Sequence, residues 1–356
     1  MSADLREARQ QALLEALEAE GLTALVVQHP PNIRYLSGFT GSAGLLVVRP
    51  AGAVLVTDFR YAAQAPQEVG PVAQVDIEPV NVWDRARRVL GGAEGVGFEA
   101  HVATVRDAER LGEGRRLVPT NGLVEQLRTR KSPGEVAAIV AAAALAQEAL
   151  AEVLPGVRVG ESELAVAARL EAALRVRGSE WHPFPTIVAS GPRAALPHAR
   201  STGRTIGAGE WLLIDFGAQV DGYCSDLTRT VVMGKADARQ RAVYEVVEAA
   251  QRRAREGVRA GMTGREADAL ARDLIAQRGY GEAFGHSLGH GLGLEVHEAP
   301  RLSPTADAAL PEGAVVTIEP GIYLPGWGGV RLEDDVLLAP DGPRCLSDGR
   351  TSLIEL

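Results

Sequence analysis

Along the N-terminal third of the chain the spacing of apolar positions switches repeatedly between helical and strand-like. An amphipathic stretch from Ser2 to Glu20, closed by Gly21, predicts a helix, and the apolar run Leu22 to Gln28 predicts a strand. The turn-rich His29-Pro30-Pro31-Asn32 follows. The runs Gly44 to Val48 and Ala53 to Thr57, parted by Arg49-Pro50-Ala51-Gly52, then predict two further strands. Short apolar strands with helices between them make an α/β layer. The polar stretch Arg128-Thr129-Arg130-Lys131-Ser132-Pro133 carries no apolar periodicity and reads as an interdomain linker, dividing the chain into residues 1–127 and 128–356.

Beyond that stretch the pattern turns helical. Ser132-Pro133-Gly134-Glu135 places an N-cap serine, a proline at the first helical position and a glutamate three residues after the cap, just before the apolar run Val136 to Ala146. The run is shorter than the roughly 18 residues of a membrane span, and Gln147 and Glu148 restore polarity, so it predicts a buried helix. Further helices are expected over Ser162 to Val176 and Asp237 to Arg255, and from the capping pattern Thr263-Gly264-Arg265-Glu266 to near Gly279. Between and after them, Trp211 to Gly217, Gly222 to Gly234, Ala314 to Tyr323 and Gly329 to Ala339 read as strands. Helices segregated from a mostly antiparallel sheet make this half α+β.

Charge and composition then exclude several function classes. Over 356 residues, 37 Lys+Arg against 46 Asp+Glu leave a formal net charge of −9, the wrong balance for a nucleic-acid binder. Only Lys131 and Lys235 are lysines, which reflects a coding bias rather than a special use of arginine. Two cysteines, Cys224 and Cys345, are too few for a disulfide framework or a cysteine-built zinc site. They point to a reducing compartment and leave histidine and carboxylate as ligands for any metal. Cys224, close to Asp226, reads as a packed strand residue. The charged opening Met1-Ser2-Ala3-Asp4-Leu5-Arg6-Glu7 lacks the apolar core of a signal peptide, so a soluble cytoplasmic protein with no membrane partner is expected.

The informative positions are acids inside apolar strands. Asp215 in Trp-Leu-Leu-Ile-Asp-Phe-Gly and Glu319 in Val-Val-Thr-Ile-Glu-Pro-Gly sit among core-type residues. A buried carboxylate costs several kcal/mol unless it is paired or bound to a cation. One such acid alone reads more readily as a strand-end residue or half of an ion pair than as a metal ligand. Joined by Asp226 and Glu333, the group reads as four acids of one sheet that need a compensating positive charge, which a metal centre supplies. Three of the seven histidines, His286, His290 and His297, fall within twelve residues. The spacing of His286 and His290 lacks the glutamate of an H-E-x-x-H helix, and the surrounding glycines favour a loop or strand. Each imidazole alone reads as a ligand or as a hydrogen-bonded structural residue. Proximity to carboxylates favours His290 and His297, leaves His198 intermediate and sets His286 on the structural side. Carboxylates with one imidazole suit hard or borderline cations, and two ions bridged by shared acids make a hydrolytic centre.

In order along the chain, Ile-Asp215-Phe-Gly-Ala, Gly-Tyr-Cys-Ser-Asp226-Leu-Thr-Arg-Thr, Gly-His290-Gly-Leu-Gly-Leu-Glu-Val-His297-Glu, Ile-Glu319-Pro-Gly-Ile-Tyr and Arg331-Leu-Glu333-Asp resemble the signature of the pita-bread metallopeptidases. That family includes methionine aminopeptidase, aminopeptidase P, prolidase and creatinase. Asn32-Ile-Arg-Tyr-Leu-Ser-Gly-Phe-Thr-Gly-Ser-Ala-Gly44 and Thr57-Asp58-Phe-Arg60-Tyr61 resemble the creatinase-type N-terminal domain, which methionine aminopeptidase lacks. The resemblance implies an α/β N-terminal domain followed by an α+β catalytic domain of pita-bread fold, and it favours the Xaa-Pro peptidase branch. It implies Asp215, Asp226, His290, Glu319 and Glu333 as ligands of two divalent ions, Mn²⁺, Co²⁺ or Zn²⁺, with Asp226 and Glu333 bridging. Glu319 would also handle the proton of the attacking water, His198 and His297 would bind around the scissile carbonyl and proline, and Arg331 would order the acids or the substrate. Creatinase departs from the acidic ligands, whereas all five ligands are present here.

The expected activity is hydrolysis before proline in small peptides. A bond to proline nitrogen has no N–H, so an enzyme that grips its substrate by strand-like hydrogen bonds loses a contact that a two-metal centre does not require. An Xaa-Pro dipeptidase is placed ahead of an aminopeptidase P acting on longer peptides. Arg34 or Arg60 is a candidate to meet a dipeptide carboxylate. A catalytically silent binding module is the reading from another class, and a homodimer follows from the resemblance.

Overall fold

The computed structural model describes residues 3–112, 114–347, 349 and 351–356. The chain divides into two compact units, Met1–Arg128 and Thr129–Leu356. In the first, β1 (Ala24–Val27), β2 (Leu45–Val48), β3 (Val54–Thr57), β4 (Gln74–Ile77), β5 (Val96–Glu99) and β6 (Leu117–Thr120) form one sheet in the order β4-β3-β2-β1-β5-β6. β1 pairs antiparallel with β2 and parallel with β5, so the sheet is mixed, as an α/β layer with one hairpin-like insertion requires. The opening helix runs Ala3–Ala19 and buries Leu13 and Leu17; Ser2, where the sequence pattern begins it, lies outside the described residues. The segment read as a turn at Pro30-Pro31 is instead the start of a helix, Pro30–Ser37. Proline fits the first helical positions, where its missing N–H has no partner to lose and its φ is already helical.

The second unit holds β7 (Ile187–Ser190), β8 (Trp211–Phe216), β9 (Gln219–Val220), β10 (Tyr223–Cys224), β11 (Leu227–Val232), β12 (Gly289–Gly291), β13 (Glu298–Leu302), β14 (Val315–Ile318), β15 (Gly321–Leu324), β16 (Gly328–Arg331), β17 (Asp334–Ala339) and β18 (Gly342–Cys345). They form a sheet β11-β8-β7, a sheet β13-β12-β14-β17-β18 and the ribbons β9-β10 and β15-β16, with antiparallel pairing throughout. Helices Ala238–Gly257 and Gly264–Gln277 bury Val243, Val247, Ala271 and Ile275 with Val316, Ile318, Val336 and Leu338 of the larger sheet. Helices Pro133–Val153 and Glu163–Val176 pack Ala142, Ala146 and Leu170 with Leu212, Ile214 and Phe216 of β8. The alternation of a strand therefore sends Trp211, Leu213 and Asp215 to the opposite face of β8.

The boundary between the two units falls inside the segment read as a linker; Arg128 and Lys131 in it are buried, and the Lys131 N–H donates to the Gly313 carbonyl at 2.8 Å. The following helical segment, Pro133–Gly156, is long and apolar enough to cross a membrane by length and composition, with a mean hydropathy of 1.7, and half of that window is buried inside the protein. Its alanine face is accounted for by core packing, and Glu135 at its start accepts from the Ser132 N–H at 2.7 Å and the Tyr223 hydroxyl at 2.6 Å.

Candidate metal centre

Three of the long strands anticipated from the sequence are each broken in two. Gly222 to Gly234 breaks between Cys224 and Leu227, Ala314 to Tyr323 between Ile318 and Gly321, and Gly329 to Ala339 between Arg331 and Asp334. The breaks contain Asp226, Glu319 and Glu333. The four acids consequently do not lie in one sheet. Asp215 and Asp226 belong to β8 and the entrance to β11, and Glu319 and Glu333 flank β14 and β17 of the larger sheet. The last register pair of those two strands is Ile318 with Asp334, so one step further brings Glu319 opposite Glu333.

His290 lies in β12, between β13 and β14. A Cβ on Gly289 would stand 1.9 Å from the Thr317 carbonyl oxygen and one on Gly291 2.0 Å from that of Ala299, so the close strands admit only glycine on either side of the imidazole. His290 Nδ1 lies 3.0 Å from the Gly291 carbonyl. A carbonyl only accepts, which places a proton on Nδ1 and leaves Nε2 as the ring atom that faces the acids. Nε2 is 3.3 Å from Glu319 Oε1 and 3.9 Å from Asp226 Oδ2. Donor atoms of Asp226, His290 and Glu333 all lie within 4.8 Å of one another.

This donor set fits a cation. Asp215 Oδ1 and Asp226 Oδ1 are buried and accept no hydrogen bond, although a buried carboxylate oxygen ordinarily has a partner. Burial first, then the charges of Glu333 and Asp215, push the Asp226 carboxyl well above its usual range. Burial and the charges of Glu319 and Asp215 do the same to Glu333. Glu319 is driven the other way, to about 2, because the hydrogen bond and charge of His290 outweigh its burial. Burial opposes the charged form of His290, yet the bond to Glu319 raises it on balance. Among the described residues the four carboxylates share only Arg331 and His290 as positive partners, and that shortfall of positive charge is what a bound cation would offset.

Arg331 supplies the one guanidinium in this arrangement and uses every nitrogen on the protein. Its Nη2 donates to Asp215 Oδ2 at 2.5 Å, Nη1 to the Tyr323 hydroxyl at 2.9 Å and the Pro197 carbonyl at 3.1 Å, and Nε to Thr228 Oγ1 at 3.1 Å. Asp215 is thus also half of an ion pair. Thr228, opposite Asp215 in the β8/β11 register, donates to Glu333 Oε2 at 2.6 Å. The Pro197 contact ties down the turn that carries His198, whose ring is exposed. The His297 ring centroid stands 4.2 Å from that of His290. His297 also lines a cleft of 360 Å³ with Trp181, Pro183, Cys224 and Leu294. Burial pushes the Cys224 thiol up to about 12, which leaves it a packed residue and a poor ligand.

The sequence comparison decides the family. The model for Metallopeptidase family M24 matches residues 137–340, and that for the Creatinase/Prolidase N-terminal domain matches residues 9–130. The chain belongs to metallopeptidase family M24. Among its relatives, the uncharacterized peptidase YqhT of Bacillus subtilis is 42% identical over 94% of this chain and 96% of its own. The Xaa-Pro dipeptidase of Pyrococcus horikoshii is 34% identical over 99% of this chain and 100% of its own. Among solved structures, an Xaa-Pro dipeptidase from Bacillus anthracis superposes with a TM-score of 0.96 at 38% identity, covering 99% of this chain and 100% of that one. An X-Pro aminopeptidase from Thermotoga maritima gives 0.88 at 36% identity, covering 94% and 98%. These matches bear out the expected pita-bread architecture and the reading as a metallopeptidase.

Other members of this M24 centre escaped the sequence reading. Tyr323 receives Arg331 and meets His286 Nε2 at 2.8 Å, while His286 Nδ1 lies 2.8 Å from the Ser287 carbonyl. His286 is therefore a structural relay to Arg331. Thr317 donates to Glu319 Oε1 and accepts from the His290 N–H, both at 3.1 Å. Asp335 accepts from the Asp226 N–H at 3.2 Å, and Asp334 pairs with Arg229 at 2.7 Å and Arg255 at 3.0 Å. The charged Arg229 and Arg331 inside apolar strands were the available signal for these partners.

Proposed function

We propose that the protein is an Xaa-Pro dipeptidase that hydrolyses the peptide bond before proline with two divalent cations, Mn²⁺, Co²⁺ or Zn²⁺. The gathering of Asp226 and Glu333 around His290, with Glu319 at its Nε2 and a buried oxygen of each of Asp215 and Asp226 without a hydrogen-bond partner, carries this reading. In it Asp215, Asp226, His290, Glu319 and Glu333 would hold the ions, with Asp226 and Glu333 the acids shared between them. When bound, two such ions supply Lewis acidity and a nucleophile at neutral pH. Glu319, held by Thr317, takes a proton from the attacking water and returns it to the leaving proline nitrogen. His297 and His198 donate to the oxygen on which charge develops and enclose the proline ring. Arg331 acts as a positioning residue, because its nitrogens are engaged by Asp215, Tyr323, Pro197 and Thr228. A cytoplasmic homodimer is the proposed setting, supported by the low cysteine count and the family resemblance.

The similarity to an X-Pro aminopeptidase supports a second reading, in which longer Xaa-Pro-Yaa peptides are the substrates. Of the arginines considered for a dipeptide carboxylate, Arg60 forks onto Asp58 at 2.9 and 2.7 Å. Hydrolysis rates for a dipeptide and a proline-containing tripeptide, measured with each metal, test the proposal. Faster turnover of the tripeptide would assign the aminopeptidase activity instead. An intact fold that binds no metal and turns over neither peptide would leave a silent binding module.

A further inference from the structure

We propose that the buried pair Lys131–Glu298 is a positioning device for His297, a role that rests on the catalytic reading of that imidazole. Lys131 is one of only two lysines among 37 basic residues. Its side chain is wholly enclosed, and Nζ donates to Glu298 Oε2 at 3.1 Å, with the Glu298 side chain only 6% exposed. Glu298 adjoins His297 in the chain and opens β13, opposite Gly291 across an irregularity in the pairing. Its other oxygen, Oε1, accepts from the Glu295 N–H at 3.0 Å. The Gly293 N–H donates to the Glu295 carbonyl at 3.0 Å, and the Cys224 N–H to the Gly293 carbonyl at 2.8 Å. One carboxylate thus closes the loop between His290 and His297 from within, and the ammonium fixes where that carboxylate stands.

A buried ion pair adds little net stability over apolar residues of similar volume, because desolvating both charges offsets their attraction. What the pair contributes is a fixed geometry. His297 is an exposed residue whose ring leans on that of His290, so where the imidazole stands depends on the loop that carries it as well as on that one ring contact. Its distance from His290 is set by the loop, and the loop by Glu298. Displacement by about 1 Å of a group that contacts the reacting centre costs up to ~100-fold in rate.

The test compares K131M, E298Q, K131M/E298Q, H297A and K131M/H297A in the full-length, metal-loaded protein. Bound metal per chain, kcat and KM for an Xaa-Pro dipeptide, and the His297 ring signals in ¹H–¹⁵N spectra of Zn²⁺-loaded protein are the readouts. K131M should keep its metals and its KM while kcat falls by about 10- to 100-fold. In the H297A background K131M should cost nothing further, since the effect acts through that ring. E298Q, which retains an acceptor for Glu295, should lose less, and it serves if K131M fails to fold. The same loss in both backgrounds, or a kcat for K131M within twofold of the parent, overturns the proposal and leaves the pair a packing feature. Wild-type turnover by H297A would instead overturn the catalytic reading of His297. The ring signals then decide the positioning alone, movement in K131M supporting it and unchanged positions refuting it.

Discussion

At the scale of single residues, the cluster gathers carboxyls that are costly to keep charged where they stand. Asp226 is 5% exposed, has an oxygen with no hydrogen bond, and faces Glu333, Asp215 and Glu319. Asp226→Asn should therefore fold, because an amide at this position relieves repulsion, yet it should bind neither metal tightly and lose all measurable Xaa-Pro hydrolysis. Metal analysis after dialysis beside an activity assay checks this, and full activity would remove Asp226 from the bridging position. His297→Ala makes the opposite split: metal content unchanged and kcat reduced by on the order of 10²-fold or more. Loss of metal there would place His297 among the ligands. The acid cluster was legible because four acids in apolar segments are anomalous together where one alone is not, and their assignment as ligands came from the family resemblance. The contacts that aim the ligands were not, since neither Tyr323 nor Thr228 departs from what a strand ordinarily contains. Their role exists only once β8, β11, β15 and β16 bring them to Arg331.

At the scale of elements, strand breaks determine where the acids stand. Periodicity predicts a continuous strand through Asp226, Glu319 and Glu333, because apolar strand-forming runs lie on either side of each. Only the tertiary pairing shows that the chain changes sheets at each. Proline at 320 was the one local hint, since it lacks the N–H a central strand would need. A second element-scale device holds the His198 segment. Glu163, wholly buried at the start of the helix Glu163–Val176, accepts at Oε1 from the Ser190 N–H at 2.8 Å and hydroxyl at 2.9 Å, and at Oε2 from the Thr202 N–H at 3.1 Å and hydroxyl at 2.8 Å. Arg193 Nε donates to the same carboxylate at 3.1 Å. The helix start thus joins both ends of the segment 190–202. Glu163→Ala strands these donors and should cost about 3 kcal/mol of unfolding free energy, read from denaturant midpoints. Activity should fall with it, whereas a loss below 1 kcal/mol would mean that water replaces the carboxylate and that the segment holds itself.

For the whole molecule, the formal charge of −9 is uneven in its consequences. Most acids are solvated or paired with arginine, but burial and mutual repulsion push Asp226 and Glu333 well above their usual range, and burial does the same to Asp335. An acid with a raised pKa in the folded state holds its proton there to higher pH than the unfolded chain does. Between its ordinary and raised values the native state binds more protons, so unfolding free energy falls as pH rises. Stability from these groups is present below pH of about 4 and is lost progressively as pH climbs through their raised values. Two divalent cations reverse the balance, since they take the place of the protons and offset up to four of the negative charges. Chelated protein should accordingly lose melting temperature as pH is raised from about 5 to 8, with protons and metal competing so that metal affinity increases over the same range. Free metal at 100 times its dissociation constant should add about 2.7 kcal/mol per site, and the melting temperature should depend far less on pH. Calorimetric scans across that range, with and without Mn²⁺ or Zn²⁺, measure both slopes. Parallel slopes would show that the buried acids are neutralised within the protein, by Arg331 and His290, and that cations are not what this cluster is built to hold.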